Sequence, residues 1–180
     1  MTGIFKPKYS KSEVSQRFNL KELLGYEPSD RQKELFFELA ADKMVERTTS
    51  GKDIDGKKFT KYTKGYAAFK GVSQSSVDLT LSGDMLSSFE ESQSQKNVVK
   101  IKIAEGTETL KAYNHNVGDT LPTRTFFGFK EEKDISRVLR DVDRIKESEV
   151  STPSLTDLAA LRQAINEEIN LGFQGLDGDN

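Results

Sequence analysis

The sequence has no cysteine, a single histidine and no apolar run near the length of a membrane span. The first absence removes disulfides, thiolate zinc sites and cysteine nucleophiles together. The second confines any Ser-His-Asp arrangement to His115, with no second imidazole to share a zinc ion. The third leaves no candidate for a transmembrane helix, which needs about 20 consecutive apolar residues. No Gly-rich phosphate loop and no nucleophile elbow occurs. The opening MTGIFKPKYSKSE lacks the apolar core of a secretory signal, so the reading is a soluble, intracellularly made protein. A global basic field is absent too. The net charge is −2 and the pI about 5.6, which gives nucleic acid no overall attraction. Hydrophobic residues make up 34% and mean hydropathy is −0.63, a lean composition for a core.

What charge there is lies unevenly. Residues 1–25 carry five cations against two carboxylates, a net of +3, and residues 149–180 carry six carboxylates against Arg162, a net of −5. Such ends are either solvated faces or the two sides of a head-to-tail contact between copies in a ring.

Taken in order, residues 1–28 read as an arm with short helical pieces. Ser10-Lys11-Ser12-Glu13 and Asn19-Leu20-Lys21-Glu22 both have capping-box spacing. Ser29, with Gln32 three positions on, opens the main core helix, whose stripe is Leu35, Phe36, Leu39, Ala40 and Met44. The run Gly51 to Lys57 resembles a calcium loop only until its ends are placed. Gly51 and Tyr62 would then fall where metal-binding oxygens belong, so an Asx turn at Asp53-Ile54-Asp55-Gly56 is the better reading. Lys57, Lys58, Lys61 and Lys64, interleaved with Phe59, Tyr62, Tyr66 and Phe69, form either a solvated loop or a DNA-facing surface.

Val77 to Leu81 alternates with period two and predicts a strand; Met85, Leu86 and Phe89 predict a short helix, and Ser92 to Asn97 a polar turn. Val98 to Ile103 is the clearest strand. Ile135, Val138, Leu139, Val142 and Ile145 predict an amphipathic helix. Ser151-Thr152-Pro153 reads as a linker, and Leu158, Leu161, Ile165 and Ile169 as the stripe of a last helix.

The densest stretch is Tyr113 to Phe129, YNHNVGDTLPTRTFFGF. Pro122 fixes its own φ, Gly118 and Gly128 permit sharp turns, and Phe126, Phe127 and Phe129 predict a buried strand that closes the sheet. His115 reads as a hydrogen-bonded loop residue. Arg124 reads as a salt-bridge former, within the subunit or across an interface.

Three blocks in this order carry a family resemblance: the Asp-Gly-Lys turn followed by aromatics, Leu79-Thr80-Leu81-Ser82-Gly83, and Leu121-Pro122-Thr123-Arg124 leading to Phe126-Phe127-Gly128. Over residues 31–148 the chain resembles the phage virion-morphogenesis family, the tail-completion and head–tail joining proteins of Mu-like and related tailed phages. Thr125 stands where that family usually has proline.

The element patterns, with the resemblance, predict an α+β fold: a small antiparallel sheet of three to four strands packed with a long N-terminal-half helix and a C-terminal helix, plus helical terminal extensions. The N-terminal arm over 1–28 and the C-terminal helical extension over 149–180 depart from the family and are read from their own residues, while the resemblance implies a tail-completion-like domain over 29–148. It further implies a non-enzymatic virion protein without cofactor or metal, assembled in the host cytoplasm into a neck ring of about six or twelve copies. Its partners would be itself, the tail tube protein and the head connector, with genomic DNA passing through the lumen and no membrane. Tyr113, His115, Asn116, Leu121, Pro122, Arg124, Phe126 and Phe127 would lie at a subunit or partner interface. The competing reading is a small DNA-binding or DNA-packaging accessory protein that uses Lys57, Lys58, Lys61 and Lys64.

Overall fold

The computed structural model describes residues 6–80 and 82–151. The chain divides into two compact units, Met1–Asp143 and Arg144–Asn180. Of the second unit only residues 144–151 are described, as the end of a helix, so the expected linker at Thr152-Pro153 and the last helix lie outside the described residues.

The fold is α+β, built on a four-stranded antiparallel sheet with the order β1-β2-β4-β3. Its first two strands come from the stretch expected to be a helical arm. Lys8–Ser10 (β1) and Glu13–Asn19 (β2) form a hairpin. The Ser10 hydroxyl does accept from the Glu13 amide at 3.0 Å, the bond that a helix cap would make. The chain nevertheless leaves it extended, because Val14, Gln16 and Phe18 all point to the buried face. The second expected piece is present as α1 (Leu20–Leu24), capped by Asn19 and closed by Gly25.

The main core helix, α2, runs over Asp30–Thr49 with the predicted capping box between Ser29 and Gln32. Phe36, Ala40, Met44 and Thr48 recur every four residues and are fully buried. Phe36 meets Phe18 of β2 edge to face, with ring centroids 5.1 Å apart. Opposite it lies Val98–Ile103 (β4), where Val99, Ile101 and Ile103 fill the core and Lys100 and Lys102 face Glu13 and Glu90 on the other side.

The middle of the chain departs from its periodicity. The strand expected at Val77 to Leu81 is absent over its described residues, 77–80; Leu79 adopts φ 56°, which no strand tolerates. Lys64–Lys70 is a short helix, α3, capped by the Thr63 hydroxyl, where a loop was expected. Asp84–Ser87 (α4) is the predicted short helix, but Phe89 opens a strand instead of ending that helix. This strand, β3 (Phe89–Gln95), occupies most of the expected polar turn, since pairing with β4 satisfies its backbone whatever its side chains. Thr107–Val117 forms α5, so Tyr113, His115 and Asn116 sit on a helix and not in a loop. Finally α6 (Glu132–Ser151) buries Ile135, Val138, Leu139 and Val142, as its spacing predicts.

Candidate functional site

Phe126 to Phe129 is buried, bends at Phe127 and Gly128, where Gly128 has φ 94°, and pairs with no strand. Buried backbone groups still need partners, and here side chains supply all of them. Asn116 Oδ1 accepts from the amides of Phe126 and Phe127, both at 3.0 Å. Met44 Sδ accepts from the Gly128 amide at 3.2 Å. The Arg47 guanidinium donates to the carbonyls of Phe126 and Gly128, and the Tyr9 hydroxyl donates to that of Phe127 at 2.7 Å. The Gln16 carboxamide serves both groups of Phe129, accepting from its amide and donating to its carbonyl at 2.8 Å each. Arg47, in the last turn of α2, is thus a clamp on this segment. Phe126 and Phe127 have no exposed surface and belong to the core rather than to an interface, and Asn116 is likewise buried in its clamping role.

The clamp fixes the exposed loop that precedes it. Gly118 ends α5 with φ 78° and gives its Cβ position to the Thr123 side chain, whose hydroxyl lies 2.1 Å from where a methyl would stand. The Arg124 amide donates to the His115 carbonyl at 2.7 Å, tying loop to helix. Leu121 and Pro122 are held outward between these two points.

Below them lies a cavity of about 380 Å³. Tyr62, Tyr66, Leu79, Met85, Leu121 and Pro122 form apolar walls, and His115, Lys111 and Arg124 bring nitrogen to them. Of the predicted interface residues the structure therefore brings together His115, Leu121, Pro122 and Arg124. Tyr113 does not line the cavity; its ring lies under the Lys11 ammonium, 5.8 Å away. Tyr62, Leu79 and Met85 were not foreseen as members. The signal for Tyr62 was its place in the aromatic–lysine run, while Leu79 and Met85 looked like ordinary strand and helix core.

Arg124 is the unusual member. It is only 5% exposed, yet among the described residues it forms no ion pair, against the expectation of a salt bridge. Its Nε donates to the Thr60 carbonyl at 3.0 Å and Nη2 more weakly to that of Lys61 at 3.4 Å, while its plane lies 5.2 Å from the centre of the Tyr62 ring. Burial pulls its pKa down. The same burial, with the Arg124 charge beside it, draws His115 down to about 4, so the imidazole is neutral at pH 7. His115 Nδ1 is buried and has no hydrogen-bond partner, contrary to the expected bonded loop histidine.

Tyr62 is braced from behind. Its hydroxyl accepts from the Leu79 amide at 3.3 Å and lies beside the Lys70–Asp78 ion pair. Leu79 is the one non-glycine residue with positive φ among the described residues, and a bulky side chain there stores roughly 1–3 kcal/mol of strain.

Lys57, Lys58, Lys61 and Lys64 are all exposed, and none forms an ion pair among the described residues. The Asx turn before them is present: Asp53 Oδ1 accepts from the amides of Asp55 and Lys57. Phe69 is 75% exposed beside Tyr66. Among the described residues no group of three or more His, Asp or Glu side chains is placed to hold a metal, and no helix is long and apolar enough to cross a membrane. Comparison of the chain with family models, curated proteins and solved structures finds no match.

Proposed function

We propose that this chain is a non-enzymatic structural subunit of a tailed-phage neck, a tail terminator or head–tail joining protein that forms a ring between the tail tube and the head connector. The observation that supports it is the display of exposed Leu121 and Pro122 on a base whose backbone is fully clamped. A rigid apolar projection binds without the entropy cost of ordering a loop, which suits a contact made repeatedly in a closed assembly. Exposed Tyr66 and Phe69 extend the apolar surface beside it. Light scattering on the purified chain, alone and mixed with tail tube and connector proteins, tests the proposal. A closed oligomer, alone or with a partner, is expected; a monomer under every condition overturns it.

A second reading is DNA binding through Lys57, Lys58, Lys61 and Lys64, supported by their exposure beside an exposed phenylalanine. Replacing all four by Glu abolishes salt-dependent DNA binding on that reading and leaves oligomer mass unchanged on the first.

A further inference from the structure

We infer that the cavity over Arg124 is a binding site for a carboxylate carried on an aromatic or aliphatic stem. The site is complete within one chain, and the monomer can be tested for it apart from ring formation, although Tyr66, Leu121 and Pro122 belong to both surfaces.

A buried charge is ordinarily paired, since taking it from water costs several kcal/mol even after relaxation. Arg124 has two carbonyls and one ring face, and no carboxylate. Its Nη1 has no protein hydrogen-bond partner among the described residues, although the side chain lines the cavity. The guanidinium is thus fixed at one edge by Thr60 and Lys61 and left with donors at the other. That half-used fork matches two carboxylate oxygens. Lys111 adds a second cation to the lining, although it also pairs with Glu108 at 2.7 Å. The neutral imidazole of His115 competes for no anion.

The walls set the rest of the ligand. Two tyrosines, a leucine, a methionine and Leu121 with Pro122 offer contact to a ring or a short chain, with the Thr63 and Ser82 hydroxyls also at the lining. The volume accommodates a group of phenylalanine size with its acid. The strained Leu79 supports the same wall and donates its amide to Tyr62, so the strain is spent on shaping this cavity.

The test uses the full-length wild-type chain labelled with ¹⁵N and ¹³C. It is titrated in parallel with 3-phenylpropanoate, its neutral amide 3-phenylpropanamide and the peptide acetyl-Leu-Asp amide, whose one carboxylate is the aspartate side chain. The acid is expected to shift the Arg124 Nε–H signal and signals of Tyr62, Met85 and Leu121, and to bind about tenfold to a hundredfold more tightly than the amide. Arg124→Gln is expected to remove that preference. Leu121→Ser, at an exposed wall position, weakens acid and amide alike. Tighter binding of the free acid assigns the site to a small molecule, and tighter binding of the peptide assigns it to a side chain of a protein partner. Equal binding of acid and amide, shifts confined to other residues, or no binding of the acid or the peptide overturns the inference. If Arg124→Gln fails to fold, the wild-type comparison of acid with amide still decides.

Discussion

Val98–Ile103 and Phe126–Phe129 both enter the core, the first as a strand and the second as a bent segment, and they satisfy their backbones differently. In β4 the partners are the backbones of β2 and β3, so any residue that fits the face maintains the ladder. In Phe126–Phe129 the partners are five particular side chains, from Tyr9, Gln16, Met44, Arg47 and Asn116. The first arrangement is tolerant of sequence and the second is not. Conversely, the second leaves the segment free to carry a loop at an angle that a strand register would forbid.

Substitutions that remove hydrogen-bonding groups break the comparison most sharply. Gln16→Leu strands the amide and carbonyl of Phe129, and Asn116→Leu strands two amides; at about 1–3 kcal/mol per orphaned group, each costs roughly 2–6 kcal/mol. Ile101→Leu in the ladder costs under about 1.5 kcal/mol. Urea denaturation with unchanged m-values measures both, and equal losses in the two regions would refute the distinction.

Acid separates the regions next. His115, whose carbonyl holds the loop, has a folded pKa of about 4 against an ordinary 6.5. The unfolded chain therefore takes the proton first, and stability falls as pH drops from 6.5 to about 4, by on the order of 3 kcal/mol. Glu13 at the sheet is held down to about 2 by hydrogen bonds from Lys100 and Lys8. Its contribution is complete above pH 4.5 and is lost only as pH falls towards 2. Stability curves for the wild type and His115→Gln are expected to diverge in the upper window and run parallel in the lower.

The smallest effect concerns two helix ends. Gly25 and Gly118 have nearly the same φ, 79° and 78°, but a Cβ at Gly25 meets nothing within 4 Å, whereas at Gly118 it strikes Thr123. Gly25→Ala costs about 1 kcal/mol, and Gly118→Ala exceeds it by about 1–2 kcal/mol. Thr123→Ala in the same chain recovers part of the excess, read from thermal unfolding.

Where sequence reasoning worked, one local rule decided the outcome: the Ser29–Gln32 box for α2, strict alternation for β4, and the 3-4 stripe for α6. It failed where two structures share one local bond or one spacing. Ser10 makes its cap-like bond to Glu13 inside a hairpin turn. Val77 and Leu79 alternate because both are buried under a bent loop. Helix α5 was hidden by Asn114, His115 and Asn116, all weak helix formers, and tertiary contact overrides that preference. For the site, Leu121, Pro122 and Arg124 were legible as a turn beside a charge. That Arg124 would lack a carboxylate was not, because an absent partner leaves no mark on a sequence.

The side-chain clamp also fixes an order in time. Tyr9 lies 118 residues from its partner carbonyl, Gln16 lies 113 from Phe129, and Arg47 lies 79 and 81 from its two. Loops of that length close slowly, and each of these bonds waits for residues 126–129 to meet either the hairpin or α2. As the chain leaves the ribosome, Gln16 waits with its amide unspent until residue 129 has been synthesised. The long-range bonds of the clamp therefore close only once residues 126–129 have met the hairpin and α2, and the base of the loop is fixed at that step.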